Sequence, residues 1–503
     1  MKRFFQVLSL TLFASCTNLD EQILDGAAKG SPKDPTAFLK TAYNNLRAFQ
    51  AQGQMFALDE MSTDALVGPT RGGDWDDNGV WRKIHLHTWT PEHAEVSAAY
   101  NSLLSAVYNC NTVIESPSAT ASQVTEARFL KAFYYYNVID LFGKAPYRPI
   151  GSSPAEDAKV YTRSEATDYV ISELEAILPD LPVRVAGSPD KANQDAARFL
   201  LAKLYLNKSV FKGAATPADY TKVVTYVDAM TNSLAADYWD NFAPTNNTSN
   251  EMVFTSKNEQ GAGNGGDIRS RFFMGAHYNQ TPGGWNGFAT LGEYYDRYNP
   301  ADARIYNPKP NVLATNGYNL GFQIGQQYGP GGPGVGVALT DRIDIPGSNP
   351  PVKQPLVFTK ALTIITGGAT LESAGIRGMK YEPSPLVGDV PDNDYVLMRY
   401  SDALLMKAEA IARGGSGSLG TIAADLAART GQPAVDLTNL DNIYAERGRE
   451  LWWEGWRRND MIRFGKFLSA RELKPTVSDA KYLLYPVPTA ALYNPNMTQN
   501  PGY

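Results

Sequence analysis

Cysteine is almost absent from this chain, which has 503 residues but contains only Cys16 and Cys110. If Cys16 is chemically modified, no intramolecular disulfide can form, and the stability of the fold must come from its core. With 43% hydrophobic residues, a chain of this length can bury a large core. Its size is compatible with roughly two to four domains.

The chain also lacks a strong excess of positive or negative charge. The net charge is −6, and no run of Lys and Arg occurs outside segments of mixed charge. This disfavours a nucleic-acid-binding surface and an anionic-membrane surface. Aromatic residues are abundant instead, with 28 Tyr, 20 Phe and 8 Trp. Stacking on neutral ligands is one use for such an excess.

Catalytic signals are few. The chain has four histidines, and the pair His85 and His87 lacks a convincing third metal ligand. No Gly-x-Ser-x-Gly motif occurs, and neither glycine-rich loop is followed by the Lys-Ser/Thr of a phosphate-binding loop. We therefore predict no enzyme activity, no cofactor and no metal. A glycosidase needs only two carboxylates, so sequence spacing leaves that alternative open.

Residues 74–79 resemble half of a calcium-binding loop. Asp, Asp, Asn and Gly stand at positions one, three, five and six, but position twelve is His85 where a bidentate Glu is needed. The alternative is an Asn-Gly turn that presents Trp75 to solvent. Whether calcium binds near Asp74 and Gly79 is left open.

The N-terminus predicts a lipoprotein signal peptide. Lys2 and Arg3 precede an apolar stretch, residues 4–14, that is too short to span a bilayer. Small residues then precede Cys16, although Phe13 replaces the usual Leu. We predict a signal peptide at 1–15, lipid attachment at Cys16 and a tether at 16–33. An ordinary secretory signal with an incidental Cys16 is the alternative.

The rest of the chain predicts one mainly α-helical domain, residues 34–503. Helical periodicity covers 35–49, 92–115, 122–142, 164–178, 194–211, 217–234 and 394–413. Residues 127–137 align without gaps on residues 197–207, and 403–408 repeat the start of the pattern, which is typical of degenerate tetratricopeptide-type helix pairs. Coincidental amphipathic helices are the alternative, because the spacing between units is irregular.

The middle of the chain, residues 244–391, predicts a loop-rich insertion between scaffold segments at about 34–240 and 394–470. Short strands are expected at 251–255, 356–359 and 363–366, and glycine-rich loops at 261–266 and 329–334. Long loops on a rigid frame commonly carry the binding surface.

Residues 443–466 combine three tryptophans with ten charged residues and predict a single scaffold helix. Three acids at intervals of four lead to a base: Glu446, Glu450, Glu454 and Arg458. Trp452 and Trp456 are expected to stack four residues apart. We assign the three acids to structural ion pairs rather than to catalysis.

Several segments together resemble the SusD/RagB family, the surface nutrient-binding lipoproteins of Bacteroidetes. They are residues 128–146, 238–242 with 250–254, 399–410, 443–466 and 485–503. One departure is Leu426-Ala-Ala-Arg429 where the family has Asn-x-x-Arg, so the packing there is expected to differ. Asp20 and Glu21 resemble the acidic export signal of surface-exposed lipoproteins in that phylum.

This resemblance implies a SusD-like fold and a non-catalytic receptor that is lipid-anchored and surface-exposed on the outer membrane. Its partner would be a SusC-like TonB-dependent transporter, to which it delivers oligosaccharides. A RagB-like receptor for peptides or other nutrients is the main alternative, and a surface glycoside hydrolase is another. Neither the glycan nor its linkage can be inferred from the sequence.

The ligand site is predicted where exposed aromatic residues lie near polar groups, because sugars offer C–H faces and hydroxyls. The resemblance points to the segment after the first helix and to the insertion. The candidates are Asp64, Arg71, Trp75, Trp285, Asn286, Tyr294 and Tyr295. We favour Trp75 and Trp285, because Gly72-Gly73 and Gly283-Gly284 precede them and suit exposed turns. For each aromatic, core packing is the alternative.

Overall fold

The computed structural model describes residues 34–153, 156–259, 274–383 and 392–503. The predicted signal peptide, Cys16, the tether at 16–33 and the loop at 261–266 lie outside these residues. In the part described, no helix combines the length and the apolar character needed to cross a membrane.

The fold is mainly helical with short strands, as predicted. The helices are α1 (Pro35–Asn44), α2 (Gln54–Phe56), α3 (Val80–His85), α4 (Ala94–Ile114), α5 (Ala121–Leu141), α6 (Arg163–Ile177), α7 (Gln194–Leu206), α8 (Lys208–Phe211), α9 (Pro217–Asp228), α10 (Gly292–Tyr295), α11 (Pro310–Asn316), α12 (Tyr400–Ala412), α13 (Ile422–Thr430), α14 (Leu440–Glu450) and α15 (Arg457–Arg463). Asp34 caps α1 by accepting the Thr36 backbone N–H. Capping boxes start α5, α6 and α9 at Thr120, Thr162 and Thr216.

The helices pack on one another both as sequence neighbours and across intervening elements. α4 packs against α1 and α5, α5 against α6, α7 against α9, and α9 against α12. The recurring alanines of the matching segments, Ala127, Ala132, Ala197 and Ala202, are all buried. A small side chain at these positions allows the neighbouring helices to approach closely, as the repeated pattern predicts.

The strands are β1 (Thr70–Arg71), β2 (Ala145–Tyr147), β3 (Lys159–Tyr161), β4 (Met252–Ser256), β5 (Tyr306–Asn307), β6 (Leu320–Gln323), β7 (Gly325–Gln326), β8 (Thr340–Asp344), β9 (Lys353–Pro355), β10 (Val357–Phe358), β11 (Ile365–Thr366), β12 (Arg377–Met379) and β13 (Tyr395–Arg399). They form small sheets, of which β1 with β11 is parallel and joins the start of the chain to the insertion. The antiparallel pairs are β2 with β3, β4 with β13, β7 with β10, β8 with β9, and β6 with both β5 and β12. The strand predicted at 251–255 is present as β4, shifted by one residue, while those predicted at 356–359 and 363–366 are present but shorter, as β10 and β11.

Two helix predictions were wrong. Residues 395–399 form β13 beside β4, so the helix predicted from residue 394 starts only at Tyr400. The single helix predicted over residues 443–466 is two helices separated by a turn, in which Trp453 has φ 58° and Gly455 has φ 81°. Trp452 and Trp456 therefore do not stack along one helix.

The turn between α14 and α15 has a physical cause. The backbone carbonyls of Glu450 and Trp452 accept hydrogen bonds from Arg399 and Lys380, both of which are buried. In a continuous helix these two carbonyls would accept backbone N–H groups from the next turn. Here they accept hydrogen bonds from side chains instead. Sequence periodicity cannot detect such long-range capture.

The acids of this segment form buried ion pairs, as predicted. Glu450 binds Arg399, Arg429 and Arg304, while Glu454 binds Arg399 and Lys380, and Glu446 binds Arg304 and Arg449. Burial alone would raise the pKa of Glu450, but the three arginines outweigh it and hold the pKa well below its usual value. Arg429, which follows the departure from the family pattern, joins this network through Glu251 as well.

Candidate functional site

A tight turn after β1 presents Trp75. The backbones of Arg71 and Asp74 exchange hydrogen bonds of 2.8 and 2.9 Å, and Gly72 has φ 59°. Trp75 itself has φ 59°, a conformation that bulky residues adopt rarely. The turn leaves Asp74 exposed and the Trp75 ring partly exposed.

A second loop, residues 276–287, faces this turn. Its two arms are joined by hydrogen bonds from the Gly284 N–H to the His277 carbonyl and from the Asn286 N–H to the Ala276 carbonyl. The loop presents Trp285, which is 43% exposed. The glycine pair before Trp285 thus belongs to an exposed turn, as expected.

Two side-chain hydrogen bonds link the turn to the loop. The Trp75 Nε1–H donates to the Trp285 carbonyl at 2.9 Å, and the Tyr278 hydroxyl donates to Asp74 Oδ2 at 3.1 Å. Residues 210 positions apart in sequence are therefore held in direct contact.

Contacts with neighbouring residues hold the Trp75 ring in place. Its centroid lies 5.9 Å from that of Trp81 and 5.3 Å from that of Phe288. A Cβ atom at Gly287 would lie 2.1 Å from the ring, so this position admits only glycine if Trp75 keeps its place. The ring is a preorganised platform rather than a free side chain.

Arg342 adds a cation next to the aromatic residues. Its guanidinium carbon lies 3.8 Å from the centre of the Tyr278 ring, and its Nε–H donates to Glu372 at 2.7 Å. The side chain is nevertheless 55% exposed. Burial would raise the pKa of Glu372, but its hydrogen bonds to Arg342 and His277 lower the pKa overall. We call Asp74, Trp75, Tyr278, Trp285 and Arg342 the Trp75–Trp285 surface.

Four of the predicted ligand-binding residues are buried and bound to protein groups. Asp64 pairs with Arg457 and Arg297. Arg71 donates to the carbonyls of Gly287, Leu371 and Ala374, Asn286 accepts from Arg377, and the Tyr294 hydroxyl donates to the Gly448 carbonyl. A ligand on the surface of this conformation cannot reach these groups, because protein atoms cover them.

Two of these four residues belong to the segments that carry the Trp75–Trp285 surface. Arg71 and Asn286 lie directly under the Trp75–Trp285 surface, since one starts the turn and the other belongs to the loop. They can hold the surface in place without contacting a ligand. Tyr295 is half-buried and lies against Phe322 and Lys360, contacts that do not join it to the Trp75–Trp285 surface.

Two residues of the Trp75–Trp285 surface, Tyr278 and Arg342, are not among the candidates predicted from the sequence. Tyr278 could have been found, because it stands on the loop arm opposite Trp285 and before the same glycine pair. Arg342 has no such signal, since it lies in β8, a short strand in which four of the five residues are polar. Only the fold brings it over Tyr278.

The half calcium loop uses its acids within the protein. Asp76 pairs with Arg82, Asp77 accepts the Trp81 Nε1–H at 2.7 Å, and Asp74 accepts the Tyr278 hydroxyl. Burial lowers the pKa of His85 to about 3. Across the described ranges, no group of three or more His, Cys, Asp or Glu side chains is arranged to hold a metal ion.

A rigid helical scaffold that carries a loop-borne aromatic surface is an arrangement that ligand-binding proteins commonly use. Models of known families match both ends of the chain. The model described as "SusD family" matches residues 376–503, and the one described as "Starch-binding associating with outer membrane" matches residues 29–206. The chain belongs to the SusD/RagB family.

Individual relatives agree with this assignment. The starch-binding protein SusD of Bacteroides thetaiotaomicron is 24% identical over 489 residues, which cover 89% of this chain and 85% of that protein. A SusD superfamily protein from Parabacteroides distasonis has a TM-score of 0.70 at 18% identity, covering 93% of this chain and 98% of that one. Surface glycan-binding protein A from Bacteroides thetaiotaomicron, solved with laminarihexaose, has a TM-score of 0.65 at 20% identity, with coverage of 93% and 98%. These structures share the fold.

Proposed function

We propose that this protein is a non-catalytic receptor that captures oligosaccharides on the Trp75–Trp285 surface. The observation that carries the proposal is that the exposed Trp285 and the fixed Trp75 lie next to each other, joined by the hydrogen bond from the Trp75 indole to the Trp285 carbonyl, beside exposed polar groups. The chain belongs to a family whose glycan-binding members are non-catalytic.

The chemistry of the surface suits a sugar. The flat C–H face of a pyranose ring stacks on an indole, and its hydroxyls need partners that both donate and accept hydrogen bonds. Arg342 supplies donors and Asp74 supplies acceptors at the edge of the aromatic pair. Because Arg342 is paired with Glu372, the surface has no strong excess of positive charge, which favours a neutral ligand.

Relatives support the ligand class. One is named a starch-binding protein, another was solved with laminarihexaose, and a third, at 20% identity and a TM-score of 0.67, is described as laminarin binding. We therefore infer the class of ligand, an oligosaccharide, from the chain's own surface and from its family.

The proposal includes location and partner. Acylation of Cys16 would anchor the protein to the outer membrane on its outer face, and a SusC-like TonB-dependent transporter would receive the bound oligosaccharide. The lipoprotein-like N-terminal sequence and the family description that mentions the outer membrane support this part.

An array of glycans and peptides probed with a soluble form lacking residues 1–16 tests the ligand class. We expect binding to a set of related oligosaccharides and no products released from them. Binding confined to peptides would replace the glycan proposal with a peptide receptor, and release of sugar products would contradict a non-catalytic role.

A further inference from the structure

A groove runs along one face of α1, away from the residues that form the Trp75–Trp285 surface. Its volume is ≈ 780 Å³. One wall starts at Thr36 in α1 and ends at Arg47, in the 3-10 helix Asn45–Phe49 that continues α1. At 1.5 Å per residue in α1 and about 2.0 Å per residue beyond it, this wall is about 18 Å long. The opposite wall consists of residues from the segment 182–193 and of the end of β4.

The walls of this groove combine exposed apolar side chains with an excess of basic ones. Val183 and Val185 are 68% and 60% exposed, which is unusual for adjacent large hydrophobic residues on one wall. Four basic residues line the groove against two acidic ones, giving a formal excess of two positive charges: Lys40, Arg47, Lys191 and Lys257 against Glu126 and Asp190. Of the acids, Glu126 already accepts the Tyr43 hydroxyl at 2.6 Å.

The chain itself enters the described structure at the end of this groove. Asp34 precedes α1, and Thr36 lines the groove, so the 33 residues before Asp34 join the fold at this point. Residues 19–25 read Leu-Asp-Glu-Gln-Ile-Leu-Asp and therefore carry three apolar and three acidic side chains. Their character complements the valines and the basic residues of the walls.

We propose that the groove along α1 binds the chain's own segment, residues 19–25. An extended chain advances about 3.3 Å per residue, so a groove of about 18 Å holds about five of these seven residues at a time. The apolar side chains would cover Val183 and Val185, and the acids would face Lys40 and Lys191. The nine residues between 25 and 35 leave enough chain to turn back along α1.

If Cys16 carries the proposed lipid anchor, docking of this segment also limits the distance between the membrane and the body of the protein. With a free tether, the 18 steps from Cys16 to Asp34 allow a separation of up to about 60 Å between membrane and body. With residue 19 docked, only three steps remain, and the groove is held within about 10 Å of the anchor. The docked segment would thus set both the distance and the orientation of the receptor.

Disulfide trapping tests the docking without ligand, lipid or transporter. The chain from residue 16 onward, with Cys16→Ala, would carry Ile23→Cys together with Val185→Cys; the remaining Cys110 is buried. The matched control pairs Ile23→Cys with Val477→Cys, since Val477 is 75% exposed and lies outside the groove. We expect the groove pair to form its intramolecular disulfide roughly tenfold faster, because docking raises the effective concentration of the two thiols.

The charge pattern gives a second measurement. Lys40→Glu with Lys191→Glu should slow trapping of the groove pair to the control rate, whereas Lys222→Glu, at an exposed position outside the groove, should leave it unchanged. Equal trapping rates for Val185 and Val477, or disulfides that link two molecules instead of one, would overturn the proposal. Because no glycan takes part, either outcome leaves the proposed ligand site untouched.

Discussion

At the scale of single residues, the Trp75–Trp285 surface depends on a glycine. Gly287 lies under the Trp75 ring, and its missing side chain is what allows the ring to rest on the backbone of the facing loop. Trp75 in turn adopts a positive φ, which is tolerated because its ring is held by Trp81, Phe288 and a hydrogen bond to the Trp285 carbonyl. The platform is built by contacts rather than by local preference.

Replacing Gly287 with alanine should therefore displace the Trp75 ring. We expect at least roughly a tenfold loss of oligosaccharide affinity, equivalent to about 1.4 kcal/mol, together with a shift in tryptophan fluorescence. Gly73→Ala is the control, because a Cβ there meets nothing within 4 Å. Isothermal titration calorimetry of both variants compares their oligosaccharide affinities. Equal losses of affinity for Gly287→Ala and Gly73→Ala would contradict the proposal that Gly287 holds the Trp75 ring in its binding position.

Asp394 provides a test of pH dependence. It is buried beside β4, accepting hydrogen bonds from the Thr255 hydroxyl and the Asn258 backbone N–H. Burial raises the pKa of Asp394 to about 6, although these hydrogen bonds lower it in part. The folded protein therefore holds this proton more tightly than the unfolded chain does, in which the pKa is about 3.9.

The sign of the effect follows from that difference. The stabilisation is fully present below about pH 3.9 and is lost as the pH rises through about 6, for a total of about 3 kcal/mol. Asp394→Asn cannot titrate, so the parent should lose stability relative to this variant over that pH range. Denaturant unfolding at a series of pH values measures the difference in unfolding free energy between the parent and Asp394→Asn. A difference that does not change with pH would contradict the raised pKa of Asp394.

At the scale of elements, the segment from α14 to α15 shows how buried charge shapes the backbone. Its sequence has strong helical spacing, yet the chain turns where Arg399 and Lys380 bind the carbonyls of Glu450 and Trp452. Both cations also pair with acids of the same segment. The ion pairs predicted from the spacing exist, but they join distant elements rather than successive turns of one helix.

Loss of charge within this network should be costly. Glu450→Gln would leave Arg399, Arg429 and Arg304 buried with one partner fewer, and breaking such a pair costs about 3–5 kcal/mol. Asp441→Asn on the same helix is the control, since the Asp441 side chain is 82% exposed. Thermal unfolding should show a large fall in the midpoint for the first variant and almost none for the second. Comparable midpoints would mean that the network does not support the fold.

At the scale of the whole molecule, local sequence signals predicted the scaffold better than the site. Helices α4 to α9 overlap the segments predicted from helical periodicity, a signal that depends on residues only a few positions apart. The Trp75–Trp285 surface depends on contacts over long separations, so Trp75 and Trp285 could be named but Arg342 could not. Asp64 and Tyr294 looked like surface residues in sequence because their buried partners, Arg457 and Gly448, lie far along the chain.

Membrane attachment belongs to the same scale. If Cys16 is acylated, Cys16→Ala should release the protein from membranes, because a multiply acylated terminus anchors stably whereas the acidic body has little affinity for a bilayer. Fractionation of cells that lack the proposed transporter measures this without any retention through a complex with it. Unchanged membrane retention of the variant in such cells would rule out the lipid anchor.

The central claim is that Trp285 stacks directly on a bound oligosaccharide. The measurement that tests it most directly is isothermal titration of the array-selected glycan against the parent, Trp285→Ala and Tyr493→Ala. Tyr493 is 88% exposed and lies outside the Trp75–Trp285 surface, so it controls for the loss of an exposed aromatic ring. We predict an affinity loss of roughly tenfold or more, about 1.4 kcal/mol, for Trp285→Ala alone, with its unfolding midpoint unchanged. A folded Trp285→Ala variant that binds the glycan as tightly as the parent would contradict the account.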